Sequence, residues 1–358
     1  FDGYEVFVFT TRFYEEMLPE DVRGSIHIRE IPSQAASSRR AAAVGKLIVE
    51  EHIDILVQVT KSLPGMEGIR SATGCKFIVA CHGEPFWQRH AITFRRQKGL
   101  IRKMMWNLYN KKRYEDGTLA MRKAVERTRR EYDVSDAYTV LCEPYKDQIA
   151  AELGIDAATS QIYPIENPER LVEDICWEKD NVVMFCGRFE NWSKRVDRLL
   201  RIWSKVQDRM PQRRLGDGAD GTMLRQMAQD LDLQRVSFEG MQKNIAGYYD
   251  RASVVAMTSE TEGWPLALSE AQAYGCIGIA FGCTAGVSEI LGTDGECGFV
   301  VPPFDEDKYA ETLVKIASMS EDEKMRIRRN AVERRRRYAP EVIAEKWRQL
   351  FDTLVGRG

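Results

Sequence analysis

Short apolar runs alternate along this chain with stretches of helical period. In the first half, the runs at 4–10, 25–30, 53–59, 76–81, 137–141 and 160–165 predict strands. Between the second and third, residues 38–51 (SRRAAAVGKLIVEE) carry the alternation of a crossover helix. A second series starts with a buried strand at 181–187 (NVVMFCG). It continues with helices near 194–209 and 220–232, a strand at 235–240, a helix at 242–251 and a strand at 253–259. A helix opened by Pro265 follows, then strands at 277–281 and 297–302 and a helical stretch over 306–355. Strands that alternate with helices predict parallel sheets covered by crossover helices, an α/β architecture. Residues 164–180 (PIENPERLVEDICWEKD) combine two prolines with many charges and mark the boundary between the two series.

Two places break the pattern. The chain opens with Phe1-Asp2-Gly3 and runs straight into the strand at 4–10, so a first strand and helix are expected to be missing ahead of it. Before Gly216 the sequence offers only PQRRL for a central strand, which normally needs about five apolar positions. Missing residues near 212–213 are the expectation.

A chain of 358 residues can hold two domains, each with its own core. Its 44% hydrophobic and 30% charged content suits a soluble globular protein, and the net charge of −2 points to no partner. The eight cysteines form no CxxC pair and sit mostly in apolar surroundings, as at Cys81 and Cys186. That is the pattern of reduced, buried thiols in a cytosolic setting. No run has the length of a membrane span and no signal peptide is visible.

The densest chemistry lies at 262–270 (EGWPLALSE), where Glu262 and Glu270 stand eight positions apart. Pro265 suits the first helical position, because its missing N–H costs nothing there. Gly263 permits close backbone approach, and the leading amides of the helix make an anion site. Two acids that merely complement a helix N-terminus fit this segment equally well. Gly187-Arg188 ends the first strand of the second series, and Lys194-Arg195 opens the next helix. In open α/β sheets, ligands bind outside the carboxyl ends of strands, so both loops belong to one cleft edge. Cations and amides suit a diphosphate, and carboxylates suit the vicinal hydroxyls of a ribose or sugar.

The second series resembles the retaining glycosyltransferases of family 4, which have the GT-B fold. The matching pieces are GRFENWSKRVDRLL at 187–200, LGDGAD at 215–220, VSFEGMQ at 236–242 and TSETEGWPLALSEAQAYGCIGIA at 258–280. GVSEIL at 286–291 and GFVVPPFDEDKYAETL at 298–313 continue the match, which spans about 180 to 315. The resemblance implies two Rossmann-like domains facing a cleft, with a C-terminal helix returning to the first. The expected boundaries are 1–168 for the acceptor-side domain, 169–338 for the nucleotide-sugar domain and 339–358 for the returning helix. It assigns Glu270 to the nucleotide ribose, Glu262 to the donor-sugar hydroxyls, and Arg188 and Lys194 to the diphosphate. Gly187, Gly263 and the backbone of Trp264, Pro265, Leu266 and Ala267 would approach phosphate or sugar. In the first domain, His82 resembles the family's acceptor-side histidine, though a hydrogen-bonded loop histidine also fits. Asn167 resembles the asparagine before the hinge. The family's glycine-rich loop after its first strand has no counterpart here.

Other signals weigh less. GDGADG at 216–221 spells GxGxxG but follows a poor strand. The DxD at Asp230 and Asp232 lies in a helix where those positions do not share a face, and that at Asp305 and Asp307 is the acidic start of a helix. No metal and no cofactor are therefore expected. Residues 89–113 are basic, without an acid, and interleave Phe94, Met104, Trp106 and Tyr109. Such a helix reads as a membrane-surface element; nucleic acid competes, and a helix packed into the first domain fits as well. A second basic cluster, at 333–340, reads as a solvated helix face.

The expected activity is transfer of a sugar from a nucleoside diphosphate sugar, with UDP foremost, to a glycan or lipid-linked acceptor in bacterial surface polysaccharide synthesis. Expected partners are that donor, that acceptor and, through 89–113, the inner face of the membrane, with no nucleic acid. A nucleotide-sugar epimerase or phosphorylase on the same fold, and a non-catalytic membrane-surface module, remain alternatives.

Overall fold

The computed structural model describes residues 3–11, 24–32, 37–59, 65–87, 118–189, 193–209, 212–215 and 221–357. The basic segment 89–113 and the GDGADG loop up to residue 220 lie outside them.

In the first domain, β1 (Val6–Thr10) pairs in parallel with β2 (Ile26–Glu30). A separate four-stranded parallel sheet runs in sequence order through β3 (Ile55–Val59), β4 (Lys76–Ala80), β5 (Ala137–Val140) and β6 (Ile162–Pro164). Helix α1 (Ser37–Glu50) buries Ala41, Val44 and Ile48, the three- and four-residue spacing of one helical face. That face meets Met66 of α2 (Met66–Thr73), Phe9 of β1 and Phe77 of β4, so one cluster ties both sheets together. Helices α3 (Thr118–Val134) and α4 (Glu143–Leu153) complete the described part of this domain.

The second domain holds six parallel strands: β7 (Asp180–Met184), β8 (Gln212–Leu215), β9 (Val236–Phe238), β10 (Ala252–Met257), β11 (Ile277–Phe281) and β12 (Gly298–Val301). Their spatial order is β12-β11-β10-β7-β8-β9, so the winding reverses between β7 and β10. Every residue of β10 and β11 is buried, as expected of parallel strands covered on both faces. Val183, Val254 and Ile279 face Leu199 and Trp203 of α5 (Val196–Val206) and Leu313 of α10 (Glu306–Ser318). Met184, Val255 and Ala280 face the other way, into a core that continues through Trp264 to Tyr145 and Ile78 of the first domain. The remaining helices are α6 (Gly221–Asp230), α7 (Ala246–Arg251), α8 (Leu266–Ala273), α9 (Ala285–Leu291), α11 (Glu321–Arg335) and α12 (Pro340–Val355).

The architecture is the expected GT-B arrangement, and the differences are local. PQRRL does supply a strand, Gln212–Leu215, because pairing with β7 and β9 on its two sides substitutes for apolar character. The helical stretch over 306–355 is broken. Ser320 opens α11 with a reciprocal capping box to Glu323, and a short 3-10 turn at Arg336–Tyr338 precedes Pro340. The helix expected from 242 begins at Ala246. Four of the eight cysteines are buried; Cys176 is exposed, and none is paired.

Helix α12 returns to the first domain. Tyr4 donates to Asp352 at 2.6 Å, its ring meets Phe351 edge-on, and Lys346 pairs with Glu166. The chain reaches α12 through a buried charge pair. Arg335, fully buried, donates to Glu169 Oε2 at 2.7 Å, while the Trp264 indole donates to Glu169 Oε1 at 2.9 Å. Removing one member of such a pair strands the other without solvent, at about 3–5 kcal/mol. Glu169→Gln is therefore expected to lower unfolding free energy by roughly that amount. Denaturant titration checks it, and a loss within error of zero would mean the pair is solvated.

Candidate functional site

The reversal of winding between β7 and β10 brings the loops after those two strands side by side, where open α/β sheets bind ligands. After β7 the chain passes Phe185 and turns at Gly187, whose φ of 155° side chains rarely adopt and whose added Cβ would lie 3.1 Å from the Phe185 ring. Arg188 follows on the surface, and the loop re-enters the described residues at Ser193. Lys194 stands beside Arg195, a non-glycine residue at φ 47°. Such a conformation costs about 1–3 kcal/mol, and Asp197 offsets it with a two-pronged grip on the Arg195 guanidinium, both contacts at 3.0 Å.

The two loops are stitched together. The Glu260 amide donates to the Ser193 carbonyl at 2.7 Å, and the Thr258 hydroxyl to the Arg195 carbonyl at 2.9 Å. The Glu260 carboxylate receives Arg195 at 3.2 Å and Arg198 at 2.6 Å, and Arg198 lies 4.0 Å over the Phe304 ring. This network holds Lys194 against Glu262. Its ammonium donates to Glu262 Oε1 at 2.7 Å, and the Ser259 hydroxyl donates to the same oxygen at 2.5 Å. The Glu262 side chain is 9% exposed and that of Lys194 24%, so the pair is shielded but reachable. No hydrogen bond to Glu262 Oε2 forms among the described residues, and that oxygen remains able to accept from a hydroxyl.

The residues after Glu262 divide their tasks. Gly263 passes directly under the first domain, and a Cβ there would lie 2.8 Å from the Gly83 Cα. Trp264 turns into the buried junction with Glu169 and Tyr338. Pro265 occupies the N-cap of α8, one position earlier than its spacing suggested; its carbonyl accepts from the Leu268 amide, and ψ of 85° departs from helical values. The leading amides of α8, at Leu266 and Ala267, have no intrahelical acceptor, and Leu266 is half exposed. Glu270 lies one turn further on, exposed, where the Tyr249 hydroxyl donates to it at 2.9 Å. Desolvation raises the Glu270 carboxyl above its ordinary value of 4.5, with the nearby Glu169 adding to the rise and the Tyr249 bond opposing it.

From the first domain, His82 follows β4 on the surface, and its Nδ1 lies 3.1 Å from Asn167 Oδ1. An Asn167 oxygen that accepts here requires the proton on Nδ1, and in the neutral ring Nε2 is then the acceptor. The structure thus joins two residues that the sequence singled out separately. It also adds three that sequence reasoning missed: Glu84, buried, takes the Thr261 hydroxyl, and Tyr145 and Thr284 bind the Glu262 carbonyl at 3.1 and 2.7 Å. Tyr145 and Thr284 follow strand ends, and that position was the available signal.

Among the described residues, no group of three His, Cys, Asp or Glu side chains could hold a metal, and no helix is long and apolar enough to cross a membrane. Asp305 instead caps α10, accepting from the Lys308 amide at 2.8 Å. Two cavities lie elsewhere: about 400 Å³ at the amino ends of the second sheet, beside Asn181, Arg235 and Ser253, and about 340 Å³ beside Arg70 and Asp136.

Residues 180–319 match the family model described as glycosyl transferases group 1. Over 227 residues the chain is 28% identical to the amylovoran biosynthesis glycosyltransferase AmsD of Erwinia amylovora. That match takes in 62% of this chain and 63% of AmsD, so the chain spans less than two thirds of this relative's length. A glycosyltransferase structure from Rickettsia africae superposes with a TM-score of 0.72 at 15% identity, covering 99% of this chain and 92% of that one. The structure of HepE from Anabaena in complex with UDP gives 0.67 at 16% identity, covering 93% and 87%.

The raised Glu270 carboxyl has a consequence for stability. Below the ordinary glutamate value the folded and unfolded chains are both protonated there. As pH rises through the raised folded value, the folded state must ionise a group that its surroundings disfavour, and stability is lost. Glu270→Gln does not titrate, so its stability relative to the parent is expected to increase from acid to neutral pH. Denaturant midpoints across that range check this, and a difference that does not vary with pH would overturn it.

Proposed function

We infer that this chain, a member of the glycosyl transferases group 1 through residues 180–319, moves a sugar from a nucleoside diphosphate sugar to a glycan or lipid-linked acceptor. The observation that carries the reading is the contact between Lys194 and Glu262, 2.7 Å apart where the winding of the sheet reverses. It sets a cation for the diphosphate beside a carboxylate for the sugar hydroxyls. Arg188 and the leading amides at Leu266 and Ala267 add to the diphosphate side, and Glu270 takes the ribose. The kinship with AmsD supports bacterial surface polysaccharide as the product class, and the UDP in the HepE structure supports a UDP-sugar as donor.

Retention of anomeric configuration requires the acceptor hydroxyl to approach from the leaving-group face. The bond from the anomeric carbon to the β-phosphate oxygen breaks, and the acceptor oxygen bonds to that carbon on the same face. The acceptor proton passes to the departing diphosphate. Lys194 and Arg188 stabilise the charge that develops there, which removes the need for a metal. Glu262 orients the sugar. His82, with Nε2 as acceptor, lines the acceptor side. The basic and aromatic sequence of 89–113 supports peripheral contact with the cytoplasmic membrane face, where a lipid-linked acceptor would be met.

The test combines thermal-shift screening of UDP, GDP and ADP sugars with analysis of the released nucleotide. Nucleoside diphosphate, released only with acceptor present, is expected. Nucleoside monophosphate would mean sugar-phosphate transfer, and an altered sugar nucleotide formed without acceptor would mean an epimerase; either replaces this reading. Glu262→Gln and Lys194→Met are each expected to reduce transfer about 10²–10³-fold with circular dichroism unchanged. Parental turnover in either would refute the assignment.

A further inference from the structure

We propose that Tyr145, from the first domain, is a positioning residue for the donor loop of the second, and that it works with the contact between Glu84 and Thr261. Tyr145 lies at the start of α4, just past the carboxyl end of β5, and is 1% exposed. Its hydroxyl faces two carbonyls of the opposite domain, those of Glu262 at 3.1 Å and Gly263 at 3.0 Å, and shares its one proton between them. It accepts in turn from the Gly286 amide at 3.2 Å. One phenol therefore binds both the Glu262 loop and the first turn of α9.

The surroundings leave the loop little freedom. A Cβ at Gly286 would lie 2.1 Å from the Gly263 carbonyl oxygen, so α9 touches the loop backbone directly. The Thr284 hydroxyl, one residue before α9, also donates to the Glu262 carbonyl. On the other side, Gly83 lies against Gly263, and the buried Glu84 carboxylate takes the Thr261 hydroxyl. Gly83 and Glu84 directly follow His82. The backbone on either side of the Glu262 side chain is thus held by the same first-domain loop that carries the acceptor-side histidine. Ser259 and Lys194 fix the carboxylate, but Tyr145 fixes the backbone that carries it, and Glu84 holds the neighbouring Thr261 side chain. The two sides of the cleft are in register only when these cross-domain contacts are made.

This inference rests on reading Glu262 as the residue that orients the donor sugar, but part of its test does not. Tyr145→Phe retains the buried ring and removes the hydroxyl alone. Losing one buried hydrogen bond corresponds to about a tenfold change in an equilibrium. Amide hydrogen exchange over residues 259–268 should therefore accelerate about tenfold in Tyr145→Phe, and again in Thr261→Val, which breaks the second contact from the opposite domain. Ile149→Val trims the same α4 core without touching the loop, and its exchange over 259–268 should stay at the parental rate. In transfer assays, kcat of Tyr145→Phe should fall about tenfold, beyond anything Ile149→Val shows at a matched shift in thermal midpoint. Equal loop exchange in Tyr145→Phe and Ile149→Val would reduce Tyr145 to a core residue and overturn the proposal. Accelerated exchange with parental kcat would also overturn it. If the parent chain binds no nucleotide sugar, the functional reading fails, and loop exchange still decides whether Tyr145 positions the loop.

Discussion

The contact on which the rest of the site depends is between two backbones. Gly263 lies so close to Gly83 that a methyl group on Gly263 would collide, 2.8 Å from the Gly83 Cα. Protein interiors accommodate such distances only by moving one element away from the other. A side chain at Gly263 would wedge the domains apart where the loops of Glu262 and His82 meet. Glycine here is a requirement of approach, not of φ, since Gly263 is absent from the positive-φ residues.

That close approach explains why polar groups concentrate around it. Two backbones pressed together exclude water, and their carbonyls need partners from protein. Tyr145 and Thr284 supply them for Glu262 and Gly263. The same exclusion strengthens the Lys194–Glu262 pair relative to a surface ion pair, because less solvent screens it. An ammonium and a carboxylate in contact also set a condition on ligand binding. On the proposed reading, a diphosphate would share Lys194 with Glu262, and a sugar would be met by Glu262 through its second oxygen. The arrangement favours a ligand that brings both groups at once over one that brings either alone.

Much of this was legible in the sequence, and the limits of legibility have physical causes. Parallel strands buried on both faces read as continuous apolar runs, which is why VVAM at 254–257 and IGIAF at 277–281 stood out. Gln212–Leu215 did not, because its place in the sheet comes from hydrogen bonds to two neighbours and not from side-chain polarity. Glu262, Lys194, Glu270 and Arg188 were legible because spacing and strand order place them on one edge. Tyr145 and Glu84 were not, since their importance comes from contacts with residues 118 and 177 positions away, and no local pattern encodes those. His82 and Asn167 were each visible, but their pairing across 85 positions was not.

The segment from Glu262 to Pro265 shows how four adjacent positions can serve four surroundings. Glu262 faces the cleft, Gly263 the other domain, Trp264 the buried junction with Glu169 and Arg335, and Pro265 the start of α8. Adjacent residues in an irregular loop point in different directions, so such a division needs no long insertion. It also means that the loop cannot shift as a unit without disturbing something on each side. Displacing Glu262 would pull Trp264 from Glu169, whose other oxygen neutralises Arg335 immediately before the chain turns into α12. The Glu262 loop, the domain junction and the returning helix are therefore coupled through one short run of backbone. The coupling follows from chain connectivity and burial alone, before any ligand enters.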